Sequence, residues 1–305
     1  MHEWHTKVSG VCCDAVTDLC PIASLGENRV AFYKPCSSTP MRSFSLYLYE
    51  ENRFTLEGGP FCLPDGTGVS MVLLGSRIYV YAGDGVMRVI DLGHKDVLTM
   101  EECESDSVDT PSSRTHCQMF TQDALVYVCG GVSEEGRPLD DVWVYDTADS
   151  TWQRQSDMPS VLGGASCVKV GDTVHLLGGG HSSYPRSLRS MDTHLTYCHG
   201  VWTRQEPMPF RARAPFAFSQ DRHIVVTGHL RRYSVEVYAL DTVSMEWQPW
   251  KSLYMQSPDF QQLWGVRLNV DTIFMRKMYT CEVGSFYYYS VMGLLDPPGT
   301  EESGE

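Results

Sequence analysis

The sequence predicts an all-β fold in which a single kind of antiparallel sheet is repeated six times. Three observations carry that expectation: a short apolar run that recurs every 48 to 50 residues, a glycine end on most of its copies, and an aromatic residue downstream of four of them. A period of that length signals stacked or radially arranged repeats rather than two unrelated domains.

The first copies to align are Val126-Tyr127-Val128-Cys129, ending in Gly130-Gly131, and Val174-His175-Leu176-Leu177, ending in Gly178-Gly179. Ile78-Tyr79-Val80-Tyr81 ends in Ala82-Gly83, and Ile224-Val225-Val226-Thr227 ends in Gly228. Weaker copies start at Val30 and Ile273. The starts at 30, 78, 126, 174, 224 and 273 are separated by 48, 48, 48, 50 and 49 residues. Each run is apolar at successive positions, so both faces of the strand must be covered, as they are when a sheet lies between two others.

After each glycine end a polar loop leads to a further strand. Trp143-Val144-Tyr145-Asp146 is followed by Trp152, Tyr238-Ala239-Leu240-Asp241 by Trp247, Met191-Asp192 by Trp202, and Tyr49-Glu50 by Phe54. Met158-Pro159 and Met208-Pro209 close two of the units. The pattern predicts about four antiparallel strands per repeat. Glycine permits the backbone angles needed where the chain leaves a crowded strand, and tryptophan fills the space between sheets.

The strand ending in Gly-Gly, the Tyr-Asp, the Trp about six residues later and the Met-Pro together resemble the kelch repeat, best over residues 114 to 250. Lys34-Pro35 and Arg276-Lys277 replace the double glycine in the first and last copies. The resemblance implies a six-bladed β-propeller over residues 1–295, with 296–305 as a disordered tail. The sixth repeat lacks an outermost strand. Trp4 precedes Val30 by 26 residues, as Trp247 precedes Ile273, so the segment His2–Lys7 is expected to add the fourth strand to the last blade.

Bulk properties narrow the function. Hydrophobic residues make up 42% and charged residues 20% of the 305 positions, which suits a folded globular chain. The formal charge of -14, from 38 acidic and 24 basic residues, argues against nucleic acid or an anionic membrane as partner. Eleven scattered cysteines, no secretory leader and no apolar run of about 18 residues point to a cytoplasmic or nuclear protein with reduced thiols.

The kelch resemblance implies a partner-binding face built from loops after the glycine ends and from the connections between blades. Those segments carry Arg137, His181, Tyr184, Arg186, His229, Arg231, Arg232, Tyr233, Arg276 and Lys277, with Arg114, His116, Arg211 and Arg213 in the connections. Such a basic face suits a protein or an acidic peptide, because arginine grips carboxylates and phosphates at two points. Arg114 and Arg213 are singled out as matching the arginine used on this face by kelch adaptors.

No His-Glu-x-x-His, Cys-x-x-Cys or phosphate-cradling glycine loop occurs. Cys12, Cys13, Cys20 and Cys36 have the wrong spacing for zinc. Neither catalysis nor a metal or other cofactor is therefore expected. The resemblance implies substrate recognition for a cullin-type ubiquitin ligase, in the manner of BTB-BACK-kelch adaptors. A channel-sited or metal-dependent kelch enzyme, and a cytoskeletal or scaffolding propeller, are the alternatives.

Overall fold

The computed structural model describes residues 10–12, 22–26, 29–34, 42–50, 53–64, 69–93, 97–181, 189–213, 215–231, 234–250, 253–254, 260–269, 272–281 and 284–293. Among these, six antiparallel sheets of four or five strands follow one another along the chain, with one two-stranded ribbon, Gly180–His181 with Arg189–Ser190.

The first sheet comprises Ile22–Gly26, Arg29–Lys34, Arg42–Glu50 and Arg53–Leu63, and the second Ser70–Leu74, Arg77–Tyr81, Met87–Asp91 and Met100–Glu102. The third contains Arg114–Thr115, Gln118–Gln122, Leu125–Ser133, Pro138–Asp146 and Thr151–Gln155. Ser166–Val170, Thr173–Leu177, His194–Cys198 and Val201–Arg204 form the fourth. The fifth is Ala217–Gln220, His223–Arg231, Ser234–Asp241 and Glu246–Pro249, with Leu253–Tyr254 beside it. In the sixth, Phe260–Asn269, Thr272–Cys281 and Gly284–Gly293 are joined by Gly10–Cys12 from the start of the chain.

The periodic apolar run is the second strand of its sheet. Each run is preceded by another strand that pairs with it through a tight turn, such as Ser70–Leu74 before Arg77–Tyr81. These first strands are less uniformly apolar: Ser70–Leu74 is half-buried throughout, while Ile78 to Tyr81 are fully buried. A period search therefore finds the second strand. The first strands of successive sheets lie against one another in chain order, and Phe260–Asn269 lies against Ile22–Gly26.

Alternation along the second strand divides the core. Val126 and Val128 pack with Tyr79, Tyr81 and Met87 of the second sheet. Tyr127 and Cys129 face the other way, onto Val174, Leu176 and Tyr197 of the fourth. Since successive side chains point to opposite faces, one apolar strand supplies two cores, which is why no sheet can be stable alone.

Tyr145 opposes Trp152, Tyr197 opposes Trp202 and Leu240 opposes Trp247 in the outer ladders. The Tyr145 and Trp152 rings meet edge to face with centroids 5.1 Å apart. In the fourth sheet the residue across from the tryptophan is thus Tyr197. Met191-Asp192, expected in that role, lies ahead of the strand, where Met191 bridges to Ala212.

The double glycines and the Met-Pro pairs serve one joint. Gly130 and Gly131 have φ of 59° and 105°, and Gly178 and Gly179 of 71° and 93°. A Cβ on Gly130 would lie 2.3 Å from the Leu162 carbonyl oxygen and 2.9 Å from Met158 Cε; on Gly178 it would meet the Ala212 carbonyl oxygen at 2.5 Å and Met208 Cε at 3.2 Å. The backbone of the next connection crosses the strand end here, with Gly131 N–H donating to Leu162 O (2.8 Å) and Gly179 N–H to Ala212 O (2.9 Å). A second link comes from Ser70 and Ser166, eight residues ahead of Ile78 and Val174, whose hydroxyls donate to the carbonyls of Cys117 and Pro215 in the following connection.

The N-terminal strand pairs as Gly10 with Tyr288, Val11 with Tyr287 and Cys12 with Phe286. The expected closing segment His2–Lys7 and its Trp4 lie outside the described residues, as does the expected tail 296–305. No helix long and apolar enough to cross a membrane occurs among the described residues. The described cysteines Cys62, Cys103, Cys117, Cys129, Cys167 and Cys198 are free thiols.

Candidate functional site

The candidate face is built where the connection into one sheet crosses the glycine end of the sheet before it. Arg114, Leu162 and Ala212 each stand twelve residues ahead of their second-strand starts, Val126, Val174 and Ile224. They share a place at the joint: Arg114 N–H donates to Gly83 O (2.8 Å), and the carbonyls of Leu162 and Ala212 accept from Gly131 and Gly179. Arg213 is one residue further on. Neighbouring residues of an extended chain point to opposite sides, so Arg114 and Arg213 do not play the same part.

Arg114 departs from its expected role as a partner-binding arginine. Its side chain has no solvent exposure, and the guanidinium closes a two-point ion pair with Asp141, Nη1 to Oδ1 at 2.6 Å and Nη2 to Oδ2 at 2.8 Å. Nη1 also donates to Gly130 O, Nε to Ser112 O and Nη2 to Ser112 Oγ. Asp141 Oδ2 accepts from Trp143 Nε1 at 2.7 Å. Burial opposes both charges, but the partner arginine holds the Asp141 carboxyl below the usual range and the aspartate raises the arginine. Arg114 is a structural pin between the second and third sheets.

Arg213 behaves differently. It is half-buried, its Nε has no hydrogen-bond partner among the described residues, and loss of solvent lowers its pKa from the ordinary value. Its Cγ and Nε lie against Gly164, at 3.8 Å from the place where a Cβ would be, and His116 Cβ approaches the same point at 3.9 Å. Gly164 N–H donates to His116 O at 2.8 Å. His116, Gly164 and Arg213, from three successive connections, thus meet at one spot.

The other expected contributors divide by position. Arg137 is exposed in the turn after the third sheet's long strand. Arg211 is exposed and reaches Asp192 at 3.3 Å. Arg276 and Lys277, expected in a loop, instead lie inside Thr272–Cys281, opposite Tyr289 and Tyr288. That strand runs on through the place where other copies turn at glycine. His181, His229 and Arg231 are placed by backbone only: His181 pairs with Arg189 and Arg231 with Ser234, while His229 falls at the register shift between Thr227 and Leu230. Tyr184, Arg186, Arg232 and Tyr233 lie outside the described residues.

Three groups were not legible as part of this arrangement. Asp141 and Asp192 are the carboxylates that occupy Arg114 and Arg211, and adjacency in sequence does not reveal either pairing. The third is a pair of fully buried histidines in the fourth sheet. His175 Nδ1 and His194 Nε2 are 3.0 Å apart, His194 Nδ1 is 3.3 Å from Glu206 O, and the His194 ring meets Trp247 edge to face. With His194 Nδ1–H donating to that carbonyl, its Nε2 accepts from His175 Nδ1–H, which makes the His194 ring neutral. Burial pushes each down to about 4. The described residues hold no group of three or more His, Cys, Asp or Glu suited to a metal ion.

Between the connection Ser107–Ser112 and the outer strands of the third sheet lies a cleft of about 710 Å³, lined in part by Asp109, Asp140, Trp143, Trp152 and Arg154. Arg154 is already held by Asp157 at 3.0 Å.

A family model described as the KLHDC2/KLHL20/DRC7 Kelch-repeats domain matches residues 68–262, more than half of the chain. Beta-scruin of Limulus polyphemus is 22% identical over 152 residues, 48% of this chain and 17% of that protein. Kelch-like protein 25 of Rattus norvegicus is 27% identical over 124 residues, 41% of this chain and 19% of that protein. N-acetylneuraminate epimerase of Haemophilus influenzae strain PittEE is 28% identical over 145 residues, 46% and 37% of the two chains. The matches span less than two-fifths of each of these relatives.

Proposed function

The chain belongs to the KLHDC2/KLHL20/DRC7 Kelch-repeats domain family, and on that premise we propose that it is a six-bladed propeller serving as a protein-interaction module. Support for the ring comes from the first strands, which neighbour one another in order and from the sixth sheet back to the first, and from the strand Gly10–Cys12 on the sixth sheet. On this reading residues 1–295 form the propeller.

The partner is a protein or peptide segment bearing carboxylates or phosphates, received where His116 and Arg213 meet over Gly164, and we include Arg137, Arg211 and Arg231 in the proposed face. One observation carries this: Arg213 is a half-buried cation without a carboxylate among the described residues. An unpaired, partly desolvated charge is unfavourable until an anion reaches it. The overall acidity does not forbid such a partner, because charges beyond roughly 8 Å are screened at physiological salt. Within this reading the module selects substrates for a cullin-type ubiquitin ligase in the cytoplasm or nucleus, as the resemblance to kelch-like adaptors implies. A scaffolding propeller would use the same face.

The test is affinity capture from cell extract followed by mass spectrometry, with wild type beside the double variant Arg213→Ala, Arg231→Ala. The expected result is a partner set lost in the variant while the melting temperature is kept, with cullin subunits entering only with the adaptor. Unaltered capture would move the binding surface elsewhere.

A second reading, an enzyme, is favoured by the similarity to N-acetylneuraminate epimerase. It is tested by following N-acetylneuraminate with the purified chain by proton NMR. Epimerisation would displace the interaction reading.

A further inference from the structure

Gly164 is buried, with φ of 64°, and lies beneath His116 and Arg213. Left-handed backbone is the ordinary explanation for a glycine, but an internal comparison removes it here. His116 stands ten residues ahead of Val126, as Gly164 stands ten ahead of Val174. His116 has φ of 58°. The same joint in the neighbouring sheet therefore carries a full side chain on the same backbone, so left-handedness alone does not require glycine at 164.

What differs is the neighbour. At 164, the space a side chain would enter holds the stem of Arg213: a Cβ would touch Cγ and Nε at 3.8 Å, an ordinary contact, and any atom beyond Cβ on that side would displace the arginine. Arg213 has no anion among the described residues to fix it, and a flexible unpaired arginine loses rotamer freedom when ordered. The slot left by the missing side chain supplies the constraint in place of an ion pair.

We infer that Gly164 is a positioning residue, which lets the Arg213 stem lie flat across the joint beside His116 so that its guanidinium is held ready for a carboxylate or phosphate oxygen. This rests on the proposed interaction face but concerns a separate residue. Specificity for anionic groups then depends on an absent side chain in the connection to the fourth sheet, together with the cation in the connection to the fifth.

The test uses the full chain and two probes, inorganic phosphate and acetate, followed through the Arg213 Nε–H resonance, assigned by its loss in Arg213→Ala. Expected in wild type are an Nε–H that exchanges with solvent at least tenfold more slowly than that of exposed Arg137, and a shift on titration with either probe. A phosphate response stronger than the acetate response assigns the site to phosphorylated partners, and the reverse to carboxylates. Gly164→Ala should change probe affinity less than twofold. Gly164→His, the residue found at the equivalent joint, should speed exchange of the Arg213 Nε–H about tenfold and weaken probe binding at least fivefold. Gly164→Asn, whose side chain tolerates left-handed backbone, repeats the test should the histidine variant fail to fold. Unchanged exchange and affinity in a folded Gly164→His or Gly164→Asn variant would overturn the inference. Loss of cellular partner capture is a separate readout: capture independent of Arg213 defeats the proposed function, whatever the exchange data show for Gly164.

Discussion

The guanidinium of Arg114 and the carboxylate of Asp141 meet at 2.6 and 2.8 Å inside the joint between the second and third sheets, with the arginine side chain wholly removed from solvent. Breaking one side of such a pair leaves the other charge buried without a counterion. Arg114→Ala and Asp141→Ala should each lower stability by about 3 to 5 kcal/mol. The double variant Arg114→Met, Asp141→Leu should lose less than either, because no charge is then stranded. Urea unfolding midpoints check this, and additive losses would show that the pair does not act as a unit.

Arg213 should behave in the opposite way. With no partner for its Nε among the described residues, Arg213→Ala removes a partly desolvated cation without breaking an ion pair to any of them. Its melting temperature is expected within about 1 °C of wild type or slightly above it. A drop comparable with that of Arg114→Ala would show that Arg213 is a structural pin as well.

The buried His175 and His194 predict acid sensitivity. Both are held to about 4, against an ordinary value of 6.5, so the unfolded chain binds more protons than the native one between those limits. Stability is unaffected above pH 6.5 and falls as pH drops towards 4, by an amount on the order of 3 kcal/mol for each histidine that the unfolded chain protonates and the native chain does not. Urea midpoints measured between pH 7 and pH 5, above most carboxylate titrations, should decline. His175→Gln should flatten that slope, and an equal slope in wild type and variant would remove the histidines as its cause.

The glycine joints offer a controlled comparison. Gly171 and Gly130 have φ of 56° and 59°, yet a Cβ on Gly171 meets nothing within 4 Å, while on Gly130 it meets the Leu162 carbonyl oxygen at 2.3 Å. Gly171→Ala should cost about 1 kcal/mol from backbone preference alone. Gly130→Ala should cost at least 2 kcal/mol more, since the crossing connection must shift. Equal losses in thermal unfolding would mean that the joint is more yielding than its geometry suggests.

Much of the architecture is legible in the sequence. The runs at Ile78, Val126, Val174 and Ile224 mark real strands because a strand covered on both faces must be apolar throughout, and that requirement leaves a continuous signature. The aromatic residue at Trp152, Trp202 and Trp247 is legible for a similar reason: each of these outer strands places one large ring against the preceding sheet, on Tyr81, Phe120 and His194 respectively. The first strands escaped notice because their half-buried residues carry weaker constraints. Arg276 and Lys277 read as a loop in the sequence because only glycine marks the turn in other copies, and a strand that runs on has no comparable sign.

What the sequence by itself determined was the repeated sheet, its period and its family, since these follow from local patterns of burial and backbone freedom that recur in every copy. What only the tertiary structure decided was the role of each arginine. Arg114 and Arg213 look alike in the chain, but one lies within reach of Asp141, 27 residues away, and the other lies over Gly164 with no such carboxylate among the described residues. Charge pairing depends on distances of a few ångströms between segments far apart in sequence, and those distances are set only when the sheets pack.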